Sequence, residues 1–454
     1  MLCAGKGSRM GGERQKTLLP VLGTPMVRHV AAAASAAKPS KTVAVVGFDS
    51  GSVIDCLSAC PWPVEFAVQK NQSGTGHAIR AALDVITSKS GDAIVLNGDM
   101  PAVTGALVKK VVSRHKKSGA AVSLVTAETD DPRGYGRIVR GAGGDVERIA
   151  EDADASAEEK RGREINAGIY CFKLPFLRAA AGKLSNKNAL GEYYITDLIE
   201  AALRGGKKVS AVRADFAEVA GVNTPGELAA ASAMIKDRVN ARLMRSGVII
   251  TDPQTAHICP ETSIGRGTVI HPFCFISRSR IGANCSVGPC SQIRDSALGS
   301  GCSVEFSSSL DGCSLRGGAS AGPFARIRPG TVLMDGARAG SFVEIKQSSV
   351  GRGSKVPHLS YVGDSEVGSG VNVGAGTVTC NYDGRKKHRT TIEDGVFIGS
   401  DTMLIAPVKV GKGATTAAGS VITKDVSPGS LAIGRSRQKE IARRGAGGKK
   451  GGGG

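Results

Sequence analysis

Aromatic residues and long hydrophobic runs are both scarce in this sequence. Phe, Trp and Tyr together make up 4% of the 454 residues. No apolar run approaches the length of a membrane-spanning helix. Lys6, Arg9, Arg14 and Lys16 interrupt the apolar stretch that a secretory signal peptide would need near the N-terminus. The sequence therefore predicts a cytoplasmic protein with no membrane partner.

Cysteine pairs of the kind that bind zinc or exchange disulfides are also missing. The eleven cysteines include no C-x-x-C pair. Six of them fall between Cys259 and Cys313, but their spacing matches no zinc pattern. We expect these cysteines to be small apolar side chains that stay reduced.

Negative charge is in the minority. The 59 Lys and Arg residues exceed the 40 Asp and Glu residues, which gives a net charge of +19. Nucleic acid is one explanation, but the cations are spread along the chain and no aromatics are interleaved with them. Anionic substrates such as nucleotides and sugar phosphates explain the balance equally well, and we expect no nucleic-acid partner. The basic, glycine-rich segment 438–454 has the composition of a disordered tail.

Glycine, by contrast, is abundant, with 62 residues in a chain that is too long for one compact core. The first part of the chain, residues 1–224, alternates strand-like with helix-like segments. This alternation predicts an α/β domain with a mostly parallel sheet and crossover helices. The strand-like segments are 42–47, 64–69, 92–99 and 120–128, and the helix-like segments include 77–87 and 104–117.

The sequence pattern changes after a long predicted helix over 225–247. Beyond it, an apolar residue recurs about every six positions and is often followed by glycine, as in Ile281-Gly282. This is the hexapeptide period of a parallel β-helix, and over 252–434 it predicts roughly ten triangular coils. The charged stretch 380–390 breaks the period, so we expect it to loop out of its coil.

The chain opens with a short loop that has the chemistry of a phosphate site. The segment "LCAGKGSRM" (2–10) places two glycines beside Lys6 and Arg9, and bare amides next to cations suit a phosphate. Such a loop normally follows a central strand, yet only four residues precede Gly5. We therefore expect the neighbouring strands to be left with unpaired main-chain groups, and the natural start to lie several codons upstream.

Polar residues at the predicted carboxyl edge of the sheet fit a magnesium site. Asn97, Gly98 and Asp99 end a strand, and α/β sheets bind ligands at that edge. A carboxylate near a triphosphate suits Mg²⁺, which needs only one or two protein oxygens besides phosphate oxygens. Asn223 could supply the second protein oxygen. Turn capping is the alternative role for any Gly-Asp pair.

The motifs of both halves resemble those of one family. The first half contains "LCAGKGSRM", "QKNQSGTGHA", "NGDMP", "GYGRI", "EINAGIY", "GEYYITD" and "GVNTP", which look like sugar-nucleotide pyrophosphorylases. The second contains "GPFARIRPG", "SFVEIK", "HLSYVGD", "NVGAGTVTCNYDG", "FIGSDTMLIAPV" and "GKGATTAAGSVI". Together they resemble the bacterial bifunctional N-acetylglucosamine-1-phosphate uridylyltransferase / glucosamine-1-phosphate N-acetyltransferase family. The resemblance implies a Rossmann-like nucleotidyltransferase domain (1–224), a linker helix (225–247) and a left-handed parallel β-helix acetyltransferase domain (248–437).

For the first half, the resemblance implies transfer of UMP from UTP to N-acetylglucosamine 1-phosphate, with release of pyrophosphate. Asp99 and Asn223 would bind Mg²⁺, and Arg9 and Lys16 would neutralise the phosphates. The UTP loop would comprise Leu2, Ala4 and Gly5, the uracil contacts Gln69, Gly74 and Thr75, the strand-end contacts Asn97 and Gly98, and the sugar contacts Gly136, Glu151 and Asn166.

For the second half, the resemblance implies acetylation of glucosamine 1-phosphate by acetyl-CoA. His358 would take a proton as the amine attacks the thioester. The family forms homotrimers with acetyltransferase sites between subunits, and its product UDP-N-acetylglucosamine supplies peptidoglycan and lipopolysaccharide. The sugar phosphate would contact Arg328, Lys346, Tyr361 and Asn372, and acetyl-CoA would contact Ala375, Asn381, Tyr382, Ser400, Ala418 and Arg435.

The sequence departs from the family pattern in three places. Gln15 stands where the family usually has Pro, which we expect to loosen the segment that carries Lys16. Asp152 follows Glu151 where the family commonly has His-Lys or Gln-Lys, which removes a cation from the rim of the sugar pocket. Because the first strand is short, we also expect weaker and less heat-stable uridylyl transfer than in a version extended by about six apolar residues.

Two other functions compete with the bifunctional enzyme. One is a pyrophosphorylase with a single activity, whose β-helix serves only assembly. The other is a regulatory subunit with an inactive nucleotidyltransferase fold. The retained acetyl-transfer residues argue against the first, because a scaffold needs none of them, and the retained Lys16, Asp99 and Asn223 argue against the second.

Overall fold

The computed structural model describes residues 1–7 and 15–441 and divides the chain into two compact units, Met1–Val239 and the part from Asn240 onward. The strands of the first unit are β1 (Pro20–Val21), β2 (Thr24–Pro25), β3 (Val43–Val46), β4 (Glu65–Val68), β5 (Asp92–Val95), β6 (Val122–Glu128), β7 (Arg137–Arg140), β8 (Val146–Ala150), β9 (Glu164–Lys173) and β10 (Val209–Arg213). The helices are α1 (Met26–Ser35), α2 (Ser50–Ser58), α3 (Thr75–Val85), α4 (Gly105–Ser118), α5 (Leu174–Ala181), α6 (Asp197–Arg204), α7 (Phe216–Val219) and α8 (Pro225–Arg245), with short 3₁₀ turns at Lys16–Leu18 and Glu159–Arg161.

The first unit is the predicted α/β domain, but its sheet is mixed rather than mostly parallel. Strands β3 and β4 pair in parallel, as do β6 and β10. The ten-residue strand β9 instead runs antiparallel to β5, β6 and β7, and β7 forms an antiparallel pair with β8. The sheet direction predicted from the alternation of strands and helices is therefore wrong for β9, because strand direction depends on long-range pairing that the alternation does not encode.

Strand β9 organises the core of this unit. Its side chains alternate between two faces with the period of a β-strand. Tyr170 and Phe172 pack with Leu198 and Ile199 of α6 in one apolar cluster. Ile165 and Ile169 belong to a second cluster that includes Val108 and Val111 of α4. Two layers of helices therefore cover the sheet, and its polar carboxyl-edge loops are left available for a site.

The second unit is a parallel β-helix built from three sheets of eleven, ten and nine short strands. The first sheet contains Ile249–Ile250, Val269–Ile270, Ser286–Val287, Ser303–Val304, Ser320–Ala321, Arg338–Ser341, Lys355–His358, Asn372–Val373, Phe397–Ile398, Thr415–Thr416 and Leu431–Ala432. The second contains His257–Ile258, Phe275–Ser277, Gln292–Arg294, Ser309–Asp311, Arg326–Ile327, Glu344–Lys346, Tyr361–Gly363, Val378–Cys380, Met403–Ile405 and Val421–Ile422. The third contains Ser263–Ile264, Arg280–Ile281, Ala297–Leu298, Ser314–Leu315, Val332–Leu333, Ser349–Val350, Ser365–Val367, Thr390–Ile392 and Val408–Val410. The predicted number of coils is confirmed.

The hexapeptide pattern corresponds to an interior column of aliphatic side chains. In the second sheet, Ile276 pairs in register with Ile293, which pairs with Leu310, and each of the three is at most 1% exposed. The glycine that often follows the apolar residue lies where coils approach closely. A Cβ on Gly282 would lie 2.6 Å from the Gly299 carbonyl carbon of the next coil. Glycine is therefore required by main-chain packing between coils.

Within the part of the chain that the structure describes, no helix combines the length and apolar character needed to cross a membrane.

Candidate functional sites

The first four residues take the place of a central strand. Leu2 donates its main-chain N–H to Leu96 O (2.9 Å) and accepts from Gly98 N (2.9 Å) on one side. On the other side, Cys3 N donates to Val45 O and Val45 N donates to Met1 O, both at 2.8 Å. The expectation that the neighbouring strands are left unpaired here is therefore wrong. The short segment is hydrogen-bonded along both edges, and it gives the loop after it a fixed base.

A cavity of about 330 Å³ opens beside this segment at the carboxyl edge of the sheet. The structure brings most of the predicted UTP residues together around it, whereas Gly98, Gly136, Glu151, Asn166 and Asn223 lie outside its lining. Arg9 lies outside the described residues. The predicted residues that line the cavity are Leu2, Ala4, Gly5, Lys16, Gln69, Gly74, Thr75, Asn97 and Asp99.

Lys16 joins the two predicted metal ligands at one edge of the cavity. Its Nζ lies 2.6 Å from Asp99 Oδ2 and 3.0 Å from Asn223 Oδ1. Two hard oxygen donors thus converge on one cationic group, and this donor set fits Mg²⁺, which takes its remaining ligands from phosphate and water. Among the described residues there is no cluster of three or more His, Cys, Asp or Glu side chains that could hold a metal without substrate.

The segment that carries Asn223 is fixed by main-chain contacts. Val222 N donates to Asp99 O (2.9 Å), so the two predicted metal ligands are also linked through the backbone. Glu227 Oε2 accepts from the main-chain N–H groups of Asn223 and Thr224, and Glu227 N donates to Thr224 Oγ1. This reciprocal cap at the start of α8 holds Asn223 in place.

The predicted uracil residues lie on the loop that leads into α3. Gln69 is 4% exposed, and its Nε2 donates to Gly74 O (3.1 Å). Gly74 has φ +98°, and a Cβ at this position would lie 2.6 Å from Tyr193 O. The Thr75 hydroxyl accepts from Ile195 N (3.1 Å). The segment around Tyr193 therefore closes over this loop and fixes its conformation.

The three predicted sugar residues form their own group. Asn166 N donates to Gly136 O (2.8 Å), and a Cβ on Gly136 would lie 3.4 Å from Glu151 Oε2. Burial raises the pKa of Glu151, although the hydrogen bond from the Thr196 hydroxyl (2.7 Å) acts in the opposite direction. Asn166 Nδ2 donates to the Tyr170 hydroxyl (2.6 Å). Three separate strands and loops thus bring these side chains together.

Both side-chain departures from the family pattern have defined contacts. Gln15 is fully buried, and its Nε2 donates to Cys3 O (2.6 Å) and to Phe48 O (3.4 Å). These contacts anchor the segment that carries Lys16, and the loosening expected relative to the family's Pro stays a prediction. Asp152 accepts from Arg137 Nη2 (2.9 Å) and from Gly134 N (3.0 Å). Its carboxylate neutralises a nearly buried guanidinium beside the sugar group.

In the β-helix, Lys346 ends one strand of the second sheet, and Arg328 directly follows the adjacent strand. The register that pairs Arg326 with Glu344 places Arg328 beside Lys346. Arg328 Nη1 lies 2.8 Å from Glu344 Oε1. A close contact with Lys387 is the main factor that lowers the pKa of Lys346. Such crowding of cations is typical of a site that binds an anion.

The predicted base, His358, is exposed at the end of a strand of the first sheet. Ser360 Oγ donates to the main-chain carbonyl of His358 (2.7 Å), which fixes the turn between His358 and Tyr361. Tyr361 pairs in register with Glu344. Asn372 lies on the first sheet, one coil beyond Lys355.

The stretch 380–390 leaves the coil as predicted and closes on itself. Tyr382 and Lys387 form an antiparallel bridge, and His388 N donates to Asn381 O (2.8 Å) at the base of the loop. Asn381 is 8% exposed, and its Nδ2 donates to the Asp364 carboxylate. Tyr382 is 61% exposed. The loop therefore presents an aromatic ring and several cations to solvent from a fixed base.

Three of the predicted acetyl-CoA residues lie at equivalent positions of successive coils. The register that pairs Val373 with Ile398, and Ile398 with Thr416, aligns Ala375 with Ser400 and Ser400 with Ala418. The main chain links these coils, since Asp401 N donates to Ala375 O (2.7 Å) and Gly419 N donates to Ser400 O (2.8 Å). Arg435 follows one coil later, with its Cδ 3.9 Å from the Cβ position of Gly419.

Sequence reasoning missed several residues that share these sites. Gln72 and Glu192 line the nucleotide cavity, and Glu344 and Lys387 contact the cations of the β-helix. Lys387 could have been found from the break in the hexapeptide period, because it lies inside the stretch that leaves the coil. Glu192 lies in the motif "GEYYITD", which marks the segment, but its approach to the cavity depends on packing against the loop at Gly74.

Comparison with known proteins gives both halves the same assignment. Residues 1–185 match the family model described as a MobA-like NTP transferase domain, and residues 389–424 match bacterial transferase hexapeptide (six repeats). The chain is 45% identical over 440 residues to the bifunctional protein GlmU of Shouchella clausii (strain KSM-K16), covering 96% of each chain. The chain belongs to the GlmU family. The GlmU protein of Geobacillus thermodenitrificans (strain NG80-2) is also 45% identical over 440 residues, covering 96% of this chain and 95% of the relative. The GlmU protein of Trichlorobacter lovleyi (strain ATCC BAA-1151 / DSM 17278 / SZ) is 43% identical over 440 residues, covering 96% of this chain and 95% of the relative.

Membership of the GlmU family confirms the predicted fold class and the predicted enzyme. The chain combines a nucleotidyltransferase domain with a left-handed β-helix of hexapeptide repeats, and it is a bifunctional transferase in the synthesis of UDP-N-acetylglucosamine. A pyrophosphorylase with one activity and an inactive regulatory subunit are both disfavoured. The nucleotidyltransferases of this family generally use a divalent metal.

Proposed function

We propose that the cavity beside Leu2 binds UTP and N-acetylglucosamine 1-phosphate, and that the exposed edge around His358 binds glucosamine 1-phosphate and acetyl-CoA. The observation that carries the first half is the convergence of Lys16, Asp99 and Asn223 at the edge of the cavity. The second half is supported by the adjacent cations Arg328 and Lys346. Each site lies within one compact unit.

In uridylyl transfer, a phosphate oxygen of the sugar 1-phosphate attacks the α-phosphorus of UTP, and the bond to the bridging oxygen of the leaving pyrophosphate breaks. Lys16 neutralises the triphosphate, together with Arg9. Gln69, Gly74 and Thr75 orient the uracil, and Gly136, Glu151 and Asn166 hold the acetylated sugar. Such positioning and charge stabilisation supply most of the catalysis in phosphoryl-type transfer.

Asp99 and Asn223 would hold the divalent cation, which we assign as Mg²⁺ because a carboxylate and an amide oxygen are the hard oxygen donors that it prefers. When bound, the ion supplies positive charge to the phosphates of UTP. Lys16 contacts the same two oxygens in the structure, which places its ammonium beside the position that the triphosphate would occupy.

In acetyl transfer, the amine of glucosamine 1-phosphate attacks the thioester carbonyl of acetyl-CoA. His358 accepts the proton that the amine loses, and CoA leaves as the thiol. Arg328, Lys346, Tyr361 and Asn372 hold the sugar phosphate. Along the coil ladder, acetyl-CoA contacts Ala375, Asn381, Tyr382, Ser400, Ala418 and Arg435. The acetylated product is the substrate of the first site.

The β-helix assembles as a homotrimer through an apolar edge next to His358. Five exposed apolar side chains lie along one corner of the β-helix: Phe273 (56% exposed), Phe306 (44%), Phe324 (41%), Phe342 (58%) and Leu359 (63%). The Phe306 and Phe324 rings are 4.7 Å apart, and those of Phe324 and Phe342 are 4.9 Å apart. A contiguous exposed patch of this kind marks an interaction surface. Since Leu359 directly follows His358, assembly at this edge brings a neighbouring subunit to the acetyl-transfer site.

The protein works in the cytoplasm, where UTP and acetyl-CoA are available. The cysteines support this location, because none of the eleven forms a disulfide and most of them are buried.

Two half-reactions measured side by side test the assignment. Pyrophosphate release from UTP with N-acetylglucosamine 1-phosphate should require a divalent metal. CoA release from acetyl-CoA with glucosamine 1-phosphate should not. Absence of either activity from the purified full chain would contradict the corresponding site.

Light scattering tests the assembly. Phe342→Asp places a charge in the apolar edge and should convert the trimer to monomer with loss of acetyl transfer. Phe275→Ser is the matched control, since Phe275 is 53% exposed but stacks on His257 in the second sheet. A parent protein that is monomeric and fully active in acetyl transfer would contradict the trimer.

A further inference from the structure

The buried side chain of Gln15 donates hydrogen bonds to two main-chain carbonyls that lie in other segments of the chain. It is 0% exposed, and its amide nitrogen donates to Cys3 O at 2.6 Å and to Phe48 O at 3.4 Å. These carbonyls belong to two different segments, the one that replaces the central strand and the turn after β3. One amide thus joins three segments around the nucleotide cavity.

Two of the joined segments line that cavity, and the third supports one of them. Cys3 lies in the lining between Leu2 and Ala4, and Phe48, outside the lining, donates its main-chain N–H to Ala4 O (3.3 Å). Gln15 itself precedes Lys16, and its main-chain carbonyl accepts from Leu18 N (3.0 Å) in the 3₁₀ turn that begins at Lys16. The direction in which the Lys16 side chain leaves the backbone is therefore tied to the base of the glycine loop.

We infer that Gln15 is a positioning residue for uridylyl transfer, which fixes Lys16 relative to the glycine loop so that its ammonium meets the triphosphate. Gln15 touches no substrate in this role. The inference rests on the proposed contact between Lys16 and the phosphates of UTP. A misplacement of about 1 Å in such a group costs up to about 100-fold in rate.

A double-mutant cycle on the full chain tests this inference. Gln15→Met keeps the size of the side chain and removes both hydrogen bonds. We expect it to lower kcat/KM for UTP about tenfold, mainly through a higher KM for UTP, with the KM for the sugar 1-phosphate unchanged. In a Lys16→Ala background, Gln15→Met should have little further effect, because Gln15 acts through Lys16.

The outcomes separate the two assignments. If Lys16→Ala loses uridylyl transfer but Gln15→Met stays fully active, only the role of Gln15 is overturned. The same holds if the effects of the two substitutions are additive in the double variant. Full activity in Lys16→Ala overturns the proposed role of Lys16 and this inference with it. A fall in kcat that is matched by an equal fall in the folded fraction, measured by circular dichroism, also overturns the positioning role.

Acetyl transfer by the same protein is the internal control and should be unchanged. If Gln15→Met proves unstable, Gln15→Glu provides the test. A glutamate has a donor for Cys3 O only when it is protonated, so uridylyl transfer relative to the parent should recover as the pH falls. No recovery on acidification would overturn the inference.

Discussion

Lys16 and Asp99 lie 83 positions apart in the chain, and their charged groups are 2.6 Å apart in the fold. Their side chains are 12% and 24% exposed, so water screens the pair only in part. Removing one charge would leave the other without its partner in a largely buried place, which is costly. The pair thus makes the nucleotide site sensitive to single substitutions.

Asp99→Ala should remove uridylyl transfer and spare acetyl transfer. The substitution deletes the carboxylate proposed to hold Mg²⁺ and leaves Lys16 without its ion pair, and we expect a loss of about 100-fold or more. Pyrophosphate release and CoA release measured on one preparation check it. Asp55→Ala, on the exposed face of α2, is the control and should keep both activities.

His358→Ala should have the opposite effect. Loss of the proposed base should lower acetyl transfer by about 100-fold to 10,000-fold, with uridylyl transfer unchanged. In the parent protein, acetyl transfer should fall on acidification because a protonated imidazole cannot accept the proton of the amine. His257→Ala, in an early coil of the same β-helix, should keep the parent rate. Near-normal CoA release by His358→Ala would rule out the assigned base.

Asp197 should make the first unit less stable at neutral pH. Burial, followed by repulsion from Glu200 and Glu151, raises the pKa of Asp197 to about 6. Because the folded state binds this proton more tightly than the unfolded chain, its stabilising contribution is complete below about pH 4 and is lost as the pH rises through about 6. Asp197→Asn should therefore raise the melting temperature of this unit at pH 7.5.

The gain from Asp197→Asn should shrink as the pH is lowered below about 6. Thermal unfolding of the parent and the variant between pH 4.5 and pH 7.5 measures it, with both proteins studied across the same series of buffers. A gain that is the same at every pH would exclude the carboxyl group as its cause.

Leu310→Ala should destabilise the β-helix and leave the nucleotide site intact. Leu310 is fully buried in the interior column between Ile293 and Ile327, and truncating such a side chain costs about 2–5 kcal/mol. Each coil contacts only its neighbours, so the loss should appear in the unfolding transition of the β-helix. Circular dichroism combined with the two activity assays checks this, with Ser309→Ala as the control on the outward side of the same strand.

The β-helix could be predicted from the sequence because its side chains repeat with the geometry of the coil. An inward residue such as Ile293 must be apolar in every turn, and the glycine after it is required by close main-chain approach. The backbone conformation at the corners of the coils is harder to predict from the sequence. Phe324 and Phe342 have φ of +55° and +56°, values for which sequence reasoning expects glycine or asparagine. Their apolar contacts across the corner compensate for this backbone conformation.

The nucleotide site could be predicted only in part. Its glycine loop and Asp99 follow the ends of strands, and such positions can be recognised from local patterns. The antiparallel direction of β9 and the anchoring role of Gln15 could not, because each depends on a partner distant in the chain. Gln15 donates to a carbonyl twelve positions earlier in the chain, and no short-range sequence pattern encodes that contact.

The loop at 380–390 leaves the β-helix and returns to it without disturbing the stack. Val367 pairs with Ile392, 25 positions later, whereas Val350 pairs with Val367 after 17. The extra residues are spanned at their base by the hydrogen bond from His388 N to Asn381 O (2.8 Å). A segment of different length or chemistry could therefore be placed between Asn381 and His388 while the strands of the neighbouring coils keep their register. The contacts that this segment makes with a substrate can therefore change while the strands on either side keep their register.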